Sequence, residues 1–262
     1  MGKYIAFLYG VVSYLVFLAS FLYAIGFVGN LVVPISIDSG GQEASFGIAL
    51  LINAVLLGLF AVQHMIMARP GFKRWWTGFI PKSVERSTFV LFSSLLLLLL
   101  FWQWRPIGGP IWAVEHPTGH FVLQALFWIG WVTVLISTFM INHFDLFGLR
   151  QVYVNLCGDG EVHPEFKSPG LYKIVRHPIM VGFIIAFWAT PTMTLGHLIF
   201  AIATTAFIMI SVLLEERDLV GIFGKDYEEY QQSTRMFIPL PKGSSPDPTS
   251  DSDASPQTTP GD

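Results

Sequence analysis

Polar side chains gather at four points along this chain, each at the edge of a long apolar run. They are Gln63 and His64; Asn142, His143 and Asp145; Arg176 and His177; and Glu215, Glu216 and Arg217. Charge is costly beside lipid, so ionisable groups held at the ends of apolar segments point to a site rather than to scattered surface charge. In the stretch "GLYKIVRHPIMVGF", residues 170–183, Pro178 suits the first turn of a helix, where its missing N–H costs nothing. The free N–H groups of that turn, together with Arg176, favour an anionic group such as a carboxylate. Glu215 and Glu216 offer the complement, a place for an ammonium or for ribose hydroxyls. A ligand with a carboxylate and a cationic end fits both.

The elements that must position these groups are apolar helices. Of 262 residues, 53% are hydrophobic and only 13% charged, against about a quarter charged in ordinary soluble domains. The expected class is an all-α, polytopic membrane bundle. A net charge of −3 leaves no nucleic-acid footprint. The single cysteine, Cys157, rules out an internal disulfide and a cysteine-based metal motif, and no metal is expected. No signal peptide is expected either, because the first apolar run is far longer than a signal core. Four runs are long enough to span, at about 20 residues each: residues 4–31, 46–67, 88–104 and 121–141. A fifth region, 179–214, is broken by "TPTMTLGH" at 190–197, which reads as a turn. Its arms of about 12 and 17 residues, roughly 18 and 26 Å, predict a helical hairpin, followed by a short amphipathic helix. Such a hairpin returns its end to its start, so Arg176 and His177 should neighbour Glu215 and Glu216.

Loop charge predicts the orientation. Arg69, Lys73, Arg74, Lys82 and Arg86 crowd the loop 69–87, whereas the loops 34–45 and 105–120 hold one arginine between them. Lys and Arg mark the cytoplasmic side. Both termini, the 69–87 loop and the 143–177 segment are therefore expected in the cytoplasm, and His116, His120 and His197 on the other side as structural residues. Residues 1–240 read as one domain. Residues 241–262, rich in Pro, Ser and Asp, read as a disordered cytoplasmic tail.

"LYKIVRHPIMVGF", then "LLEERDLVGIFGKDYEEYQQ", resembles the isoprenylcysteine carboxyl methyltransferase and phospholipid methyltransferase group of membrane enzymes. The matching residues are Arg176, His177, Pro178 and Gly182, then Glu215, Glu216, Tyr227 and Tyr230; the tyrosine usual within the first element is Met180 here. "QHMIMARPGFKRWW", "ERSTFVL", "NHFDLFGLRQVY" and "FWATPTMTLGHLIFA" narrow the similarity to the methanethiol S-methyltransferases, bacterial membrane enzymes related to the NnrU proteins. The resemblance implies S-adenosyl-L-methionine as methyl donor, methanethiol as acceptor and dimethyl sulfide as product. Cofactor contacts are expected from Tyr172, Arg176, His177, Pro178, Gly182, Glu215 and Glu216, with Arg150 and Gln151, just beyond Asp145, closing the site or touching the cofactor.

Methyl transfer to a thiol needs the thiolate, and ordinary thiols have a pKa of ~8.5. A base is therefore expected. His64 and His143 are the candidates, with Asp145 orienting one of them. Residues 143 and 145 do not face each other on a regular helix, so Asp145 is expected to pair with His64. Phe144, Phe147 and Trp188 are candidate walls for a small acceptor. Other acceptors remain open at this stage: another thiol, a prenylcysteine carboxylate or a phospholipid amine. So do two other classes, a membrane reductase using a nicotinamide phosphate cofactor and a haem- or metal-binding membrane protein.

Overall fold

The computed structural model describes residues 2–158 and 166–239; the expected tail, 241–262, lies outside them. The fold is all-α apart from one small ladder. In order the elements are α1 (Gly2–Gly29), α2 (Phe46–Ala68), α3 (Pro70–Trp76), α4 (Lys82–Gln103), β1 (Pro110–Ala113), α5 (Pro117–Ile141), α6 (His143–Leu146) and α7 (Leu149–Cys157). After a 3-10 turn at Gly170–Lys173 come α8 (Pro178–Trp188), β2 (Thr192–Thr194), α9 (Leu195–Phe223) and α10 (Lys225–Ser233). Among the described residues, five helices are long and apolar enough to cross a membrane: α1, α2, α4, α5 and α9. Four of them coincide with the four runs expected from the sequence. Proline opens α3, α5 and α8 at the first turn, where it breaks no hydrogen bond.

The helices close a ring. α1 packs on α4, α4 on α2, α2 on α9, α9 on α8, and α8 on α5. α5 returns to α1 through Phe21 against Trp131, ring centroids 5.4 Å apart, and Tyr14 bonded to His143. One end of the ring carries Arg69, Arg86, His143, Arg176 and Glu216, joined by contacts such as Arg69 to Asp218; we call it the charged end. The opposite half holds the apolar core, where Phe27, Trp104, Phe127, Trp131 and Phe200 are nearly sealed from solvent.

The region between α8 and α9 differs from the free turn expected at 190–197. α8 has 11 residues and α9 has 29, starting inside the expected turn. Thr194 caps α9 by accepting from the His197 N–H at 3.1 Å. α8 is only about 16 Å long at helical rise, and the extended chain after it cannot bond to itself. At membrane depth such backbone must be satisfied by protein. The α4–α5 connection does this: Pro110 pairs with Thr194 and Ala113 with Thr192, antiparallel, and Leu195 and Gly196 donate to Gly109 and Ile107 at 3.0 Å each. His197, fully buried at this opposite end, bonds through Nε2 to the Phe187 carbonyl at 2.9 Å.

The α5–α8 contact is the closest in the bundle and rests on two glycines. A Cβ on Gly182 would lie 2.7 Å from the Gly130 carbonyl oxygen; one on Gly130 would lie 2.7 Å from the Gly182 oxygen and from the Ala186 nitrogen. These obstacles are backbone and cannot rotate away. Small residues let membrane helices approach closely enough for packing to hold them. Gly182, expected among the cofactor contacts, is thus occupied with helix packing. Gly182→Ala and Gly130→Ala should each destabilise the protein by about 1–3 kcal/mol through overpacking, read as a lower melting temperature in detergent. Gly58→Ala, whose Cβ meets nothing within 4 Å, is the control and should not lower it.

Candidate functional site

The expected meeting of the α8 start with the α9 end is present, and it is a closed network. Arg176 Nε and Nη2 grip the Glu216 carboxylate at 2.6 and 3.0 Å, the bidentate geometry that suits guanidinium. His177 Nε2 donates to Glu216 Oε1 at 2.9 Å, and Gln231 Nε2 donates to Oε2 at 2.9 Å. Arg176 Nη1 donates to the carbonyls of Gln231 and Thr234. The backbone joins in: the Arg176 and His177 N–H groups bond to the Arg235 and Met236 carbonyls at 2.9 and 3.3 Å. The two charged side chains are each only 8% exposed. Arg176 and Glu216 therefore spend their bonding capacity on each other and on the chain around α10. They were expected to hold the two ends of a ligand; in this arrangement each is the other's partner.

The 3-10 turn packs beside this network. Tyr172, buried, donates its hydroxyl to the Ser137 carbonyl at 3.4 Å, and Tyr230 donates to the Tyr172 carbonyl. Burial pushes the Tyr172 phenol above its ordinary pKa and the Tyr230 phenol up to about 12, so both stay protonated donors at neutral pH. Glu215, one residue from the clasp, faces a different direction and has no hydrogen bond or ion pair among the described residues.

The two candidate bases differ in how their ring nitrogens are used. Around His143, Thr138 Oγ1 donates its proton to the Leu135 carbonyl at 2.7 Å. It can then only accept from His143 Nδ1, at 2.9 Å. His143 Nε2 is left as the acceptor and takes the Tyr14 hydroxyl at 2.9 Å. The ring also stacks on Phe139 at 4.3 Å, and burial holds its pKa below the ordinary imidazole value. Both nitrogens are occupied.

Around His64 the same bookkeeping ends differently. Gln63 Nε2 points to Met67 Sδ at 3.1 Å, which leaves Gln63 Oε1 to accept from Ser93 Oγ at 3.2 Å. Ser93 has then used its proton and accepts from His64 Nδ1 at 3.3 Å. The Nε2 lone pair has no partner among the described residues, and Nε2 is not among the fully sealed unpaired atoms, so it is not closed off from an incoming group. Three rings surround it: Phe89 at 4.8 Å, Phe60 at 5.3 Å and Phe207 at 5.9 Å.

Asp145 does not pair with His64. It accepts from Arg150 Nη1 at 2.9 Å and from Gln151 Nε2 at 2.8 Å. The reason is local: Asn142, at φ 155°, breaks the helix after α5, and its side chain accepts from the Asp145 N–H. Asp145 thereby turns toward α7 instead of toward α2. Arg150 and Gln151 are thus occupied with Asp145. Of the expected walls, Phe147 stacks on Phe17 at 3.7 Å beside Met67, Phe89 and Val90. Phe144 is half exposed, and Trp188 bonds to Thr205 far from the charged end.

Three helix faces meet around His64: Phe60, His64 and Met67 on α2; Arg86, Phe89 and Ser93 on α4; Phe207, Ser211 and Glu215 on α9. Each set has helical spacing. Ser211 Oγ is buried without a partner. Arg86, Ser93, Phe207 and Ser211 were not singled out from the sequence, although the spacing that puts them on the faces of His64 and Glu215 is legible there. An apolar groove of about 350 Å³ at the opposite end of the bundle, lined by Tyr23, Pro34, Ile35, Leu98, Phe101 and Trp102, is unsuited to a polar ligand.

No family model matches the chain, and no solved structure matches it. Curated relatives do. The chain is 55% identical over 241 residues to the methanethiol S-methyltransferase of Mycobacterium tuberculosis, a match covering 92% of this chain and 98% of that protein. It is 56% identical over 237 residues to methanethiol S-methyltransferase 1 of Bradyrhizobium diazoefficiens, 90% and 83% of the two lengths. Against the methanethiol S-methyltransferase of Crocosphaera subtropica it is 53% identical over 233 residues, 89% and 91%.

The clasp makes a stability prediction. Removing one partner of a buried, hydrogen-bonded ion pair strands the other charge, at about 3–5 kcal/mol, whereas replacing both with apolar groups of similar volume is often near neutral. Arg176→Ala and Glu216→Ala should each lower the melting temperature in detergent sharply, and the double variant Arg176→Met/Glu216→Leu should recover most of the loss. A melting temperature for Arg176→Ala equal to the parent's would show that the clasp carries no stability.

Proposed function

The chain belongs to the methanethiol S-methyltransferase family, and from that premise we propose that it methylates methanethiol to dimethyl sulfide within a membrane, taking the methyl group from S-adenosyl-L-methionine. The relatives' names favour this acceptor over a prenylcysteine carboxylate or phospholipid amine, and favour a transferase over a reductase or haem protein. The five apolar helices fit an integral membrane protein. In this reading that is a bacterial inner membrane, with both termini and the basic loop around Arg69 and Arg74 in the cytoplasm. α8 and α9 form the C-terminal hairpin, and residues 241–262 form a cytoplasmic tail.

The groups around His64 fit such a donor. Three aromatic rings crowded on His64 suit a cation, and among the described residues Ser211 Oγ and the Glu215 carboxylate are polar groups without a hydrogen-bond partner. S-adenosylmethionine, when bound, supplies a methyl group on a positively charged sulfur. The protein's own work is to remove the thiol proton, exclude water and hold the acceptor in line. His64 does the first. The observation that carries this assignment is its open Nε2, fixed in the acceptor tautomer by Ser93 and Gln63. Nδ1–H donating to Ser93 stabilises the imidazolium as the proton arrives. His64 lies four residues inside the end of α2, roughly 6 Å at helical rise, where Phe60, Phe89 and Phe207 exclude bulk water and leave room for a small apolar thiol. Positioning supplies most of the remaining acceleration. Arg176, His177, Pro178 and Glu216 act at one remove, by holding the α8 and α9 ends together. Arg150 and Gln151 fix Asp145, Tyr172 seals the mouth, and His143 serves as a packed structural residue.

The test is the pH profile of dimethyl sulfide formation. A base works only when deprotonated, so kcat/KM should rise with pH through the imidazole pKa, with the thiol's own ionisation as a second limb at higher pH. His64→Gln should delete the lower limb and reduce kcat/KM by about 10²- to 10⁴-fold. His143→Gln should lower the melting temperature and keep the limb. A His64→Gln enzyme with the parent's profile would show that no proton passes through this residue.

A further inference from the structure

Two opposite charges at the mouth of the same interior come near each other without meeting. Arg86 Nε donates to the Leu146 carbonyl at 2.7 Å, and its guanidinium lies 5.1 Å over the Phe89 ring. Those contacts fix the plane of the group. Its two Nη nitrogens have no acceptor among the described residues and are not among the fully sealed unpaired atoms, so they are not closed off from an incoming group. Glu215 likewise has no direct partner, yet its charge acts on Arg86, Tyr172 and Tyr227. Both stand on faces that meet at His64, Arg86 on α4 one turn from Phe89 and Glu215 on α9 two turns from Phe207, and no ion pair joins them among the described residues.

The neighbours leave this gap open. Asp145 also feels Arg86 but is taken by Arg150 and Gln151. Glu85, adjacent in sequence, is the remaining carboxylate acting on Arg86. Arg69 is bound to Asp218 at 2.8 Å. Arg176, a further guanidinium at this end, is consumed by Glu216. On α9, one turn deeper than Glu215 and on the same face, Ser211 Oγ is buried with no hydrogen-bond partner among the described residues. An unpaired buried hydroxyl carries a desolvation penalty, and a ligand group relieves it.

We infer that Arg86 and Glu215 are the two jaws of a clamp for an α-amino-acid zwitterion: the ligand's carboxylate lies on the Arg86 Nη groups, its ammonium on Glu215, and a polar group of the same ligand reaches Ser211 Oγ. A carboxylate and ammonium on one carbon can bridge two opposite charges that do not pair with each other, and the resulting square of alternating charges is neutral. Planar guanidinium binds carboxylate bidentately, and Leu146 and Phe89 pre-orient it. The inference rests on the donor reading above, since the amino-acid end of S-adenosylmethionine is such a zwitterion. It moves the carboxylate anchor from Arg176, just before α8, to Arg86 on α4.

The experiment measures binding of two nucleosides to the full chain in detergent by calorimetry. S-adenosylhomocysteine carries the amino-acid end; 5′-methylthioadenosine keeps the thioether and nucleoside and lacks it. The parent should prefer the first. Arg86→Gln and Glu215→Gln should each weaken S-adenosylhomocysteine by about ten- to a hundredfold, the range of a charge-assisted bond, and leave methylthioadenosine unchanged, so that the preference collapses. Glu215 is exposed, so its variant tests the clamp even where Arg86→Gln fails to fold. A preference that survives in Glu215→Gln overturns the clamp, as does a parent that binds both nucleosides equally, and in both cases the donor reading stands. A parent that binds neither overturns the donor reading and the clamp with it.

Discussion

A guanidinium and a carboxylate withdrawn from water at the end of a membrane bundle must find each other, and everything at the charged end follows from how Arg176 and Glu216 do so. Their bidentate pair joins the first turn of α8 to the last turns of α9. Gln231 and the Thr234 carbonyl complete it, so the pair also fastens α10 and the strand-like segment behind it. That fastening keeps the 3-10 turn and Tyr172 over the ring of helices. Such pairs carry desolvation costs comparable to their attraction, so the contribution here is geometric: one arrangement of four chain segments satisfies both charges, and others strand them.

With those charges spent, the groups the clasp leaves open are the ones to which the proposed function assigns the chemistry. Their common property is incomplete bonding: an imidazole nitrogen at His64, a hydroxyl at Ser211, a carboxylate at Glu215 and two amino groups at Arg86. All lie on faces of α2, α4 and α9 directed at one interior. His143 shows the contrast. It sits at the same end in a richer aromatic setting, but Tyr14 fills its acceptor nitrogen. Hydroxyl neighbours with a single committed proton decide which histidine is available, and neither histidine's own sequence context reveals that.

The large features were legible because they depend on local runs. Four of the spans follow from apolar length, and the approach of "RHP" to "EERD" follows from a chain that turns back on itself. Valence was not legible. Whether Arg176 serves a ligand or Glu216 depends on Gln231 and Thr234, more than fifty residues downstream. The pairing of Asp145 with His64 failed because Asn142 turns the chain out of the helix, a backbone conformation that residue type only permits. The turn expected at 190–197 became a paired strand because α8 is too short to cross alone and residues 107–114 supply its missing hydrogen bonds. Gly182 carried a motif's expectation and proved to be a contact with Gly130, a long-range fact with no local signature.

The central claim is that this chain itself moves an intact methyl group from a sulfonium donor to methanethiol. The most direct measurement supplies purified protein in detergent or nanodiscs with S-adenosylmethionine bearing a trideuteromethyl group and with unlabelled methanethiol, and analyses the headspace by mass spectrometry. The account predicts dimethyl sulfide with one fully deuterated and one unlabelled methyl group, formed in step with S-adenosylhomocysteine. Product without deuterium, or donor consumed with no dimethyl sulfide formed, would contradict it.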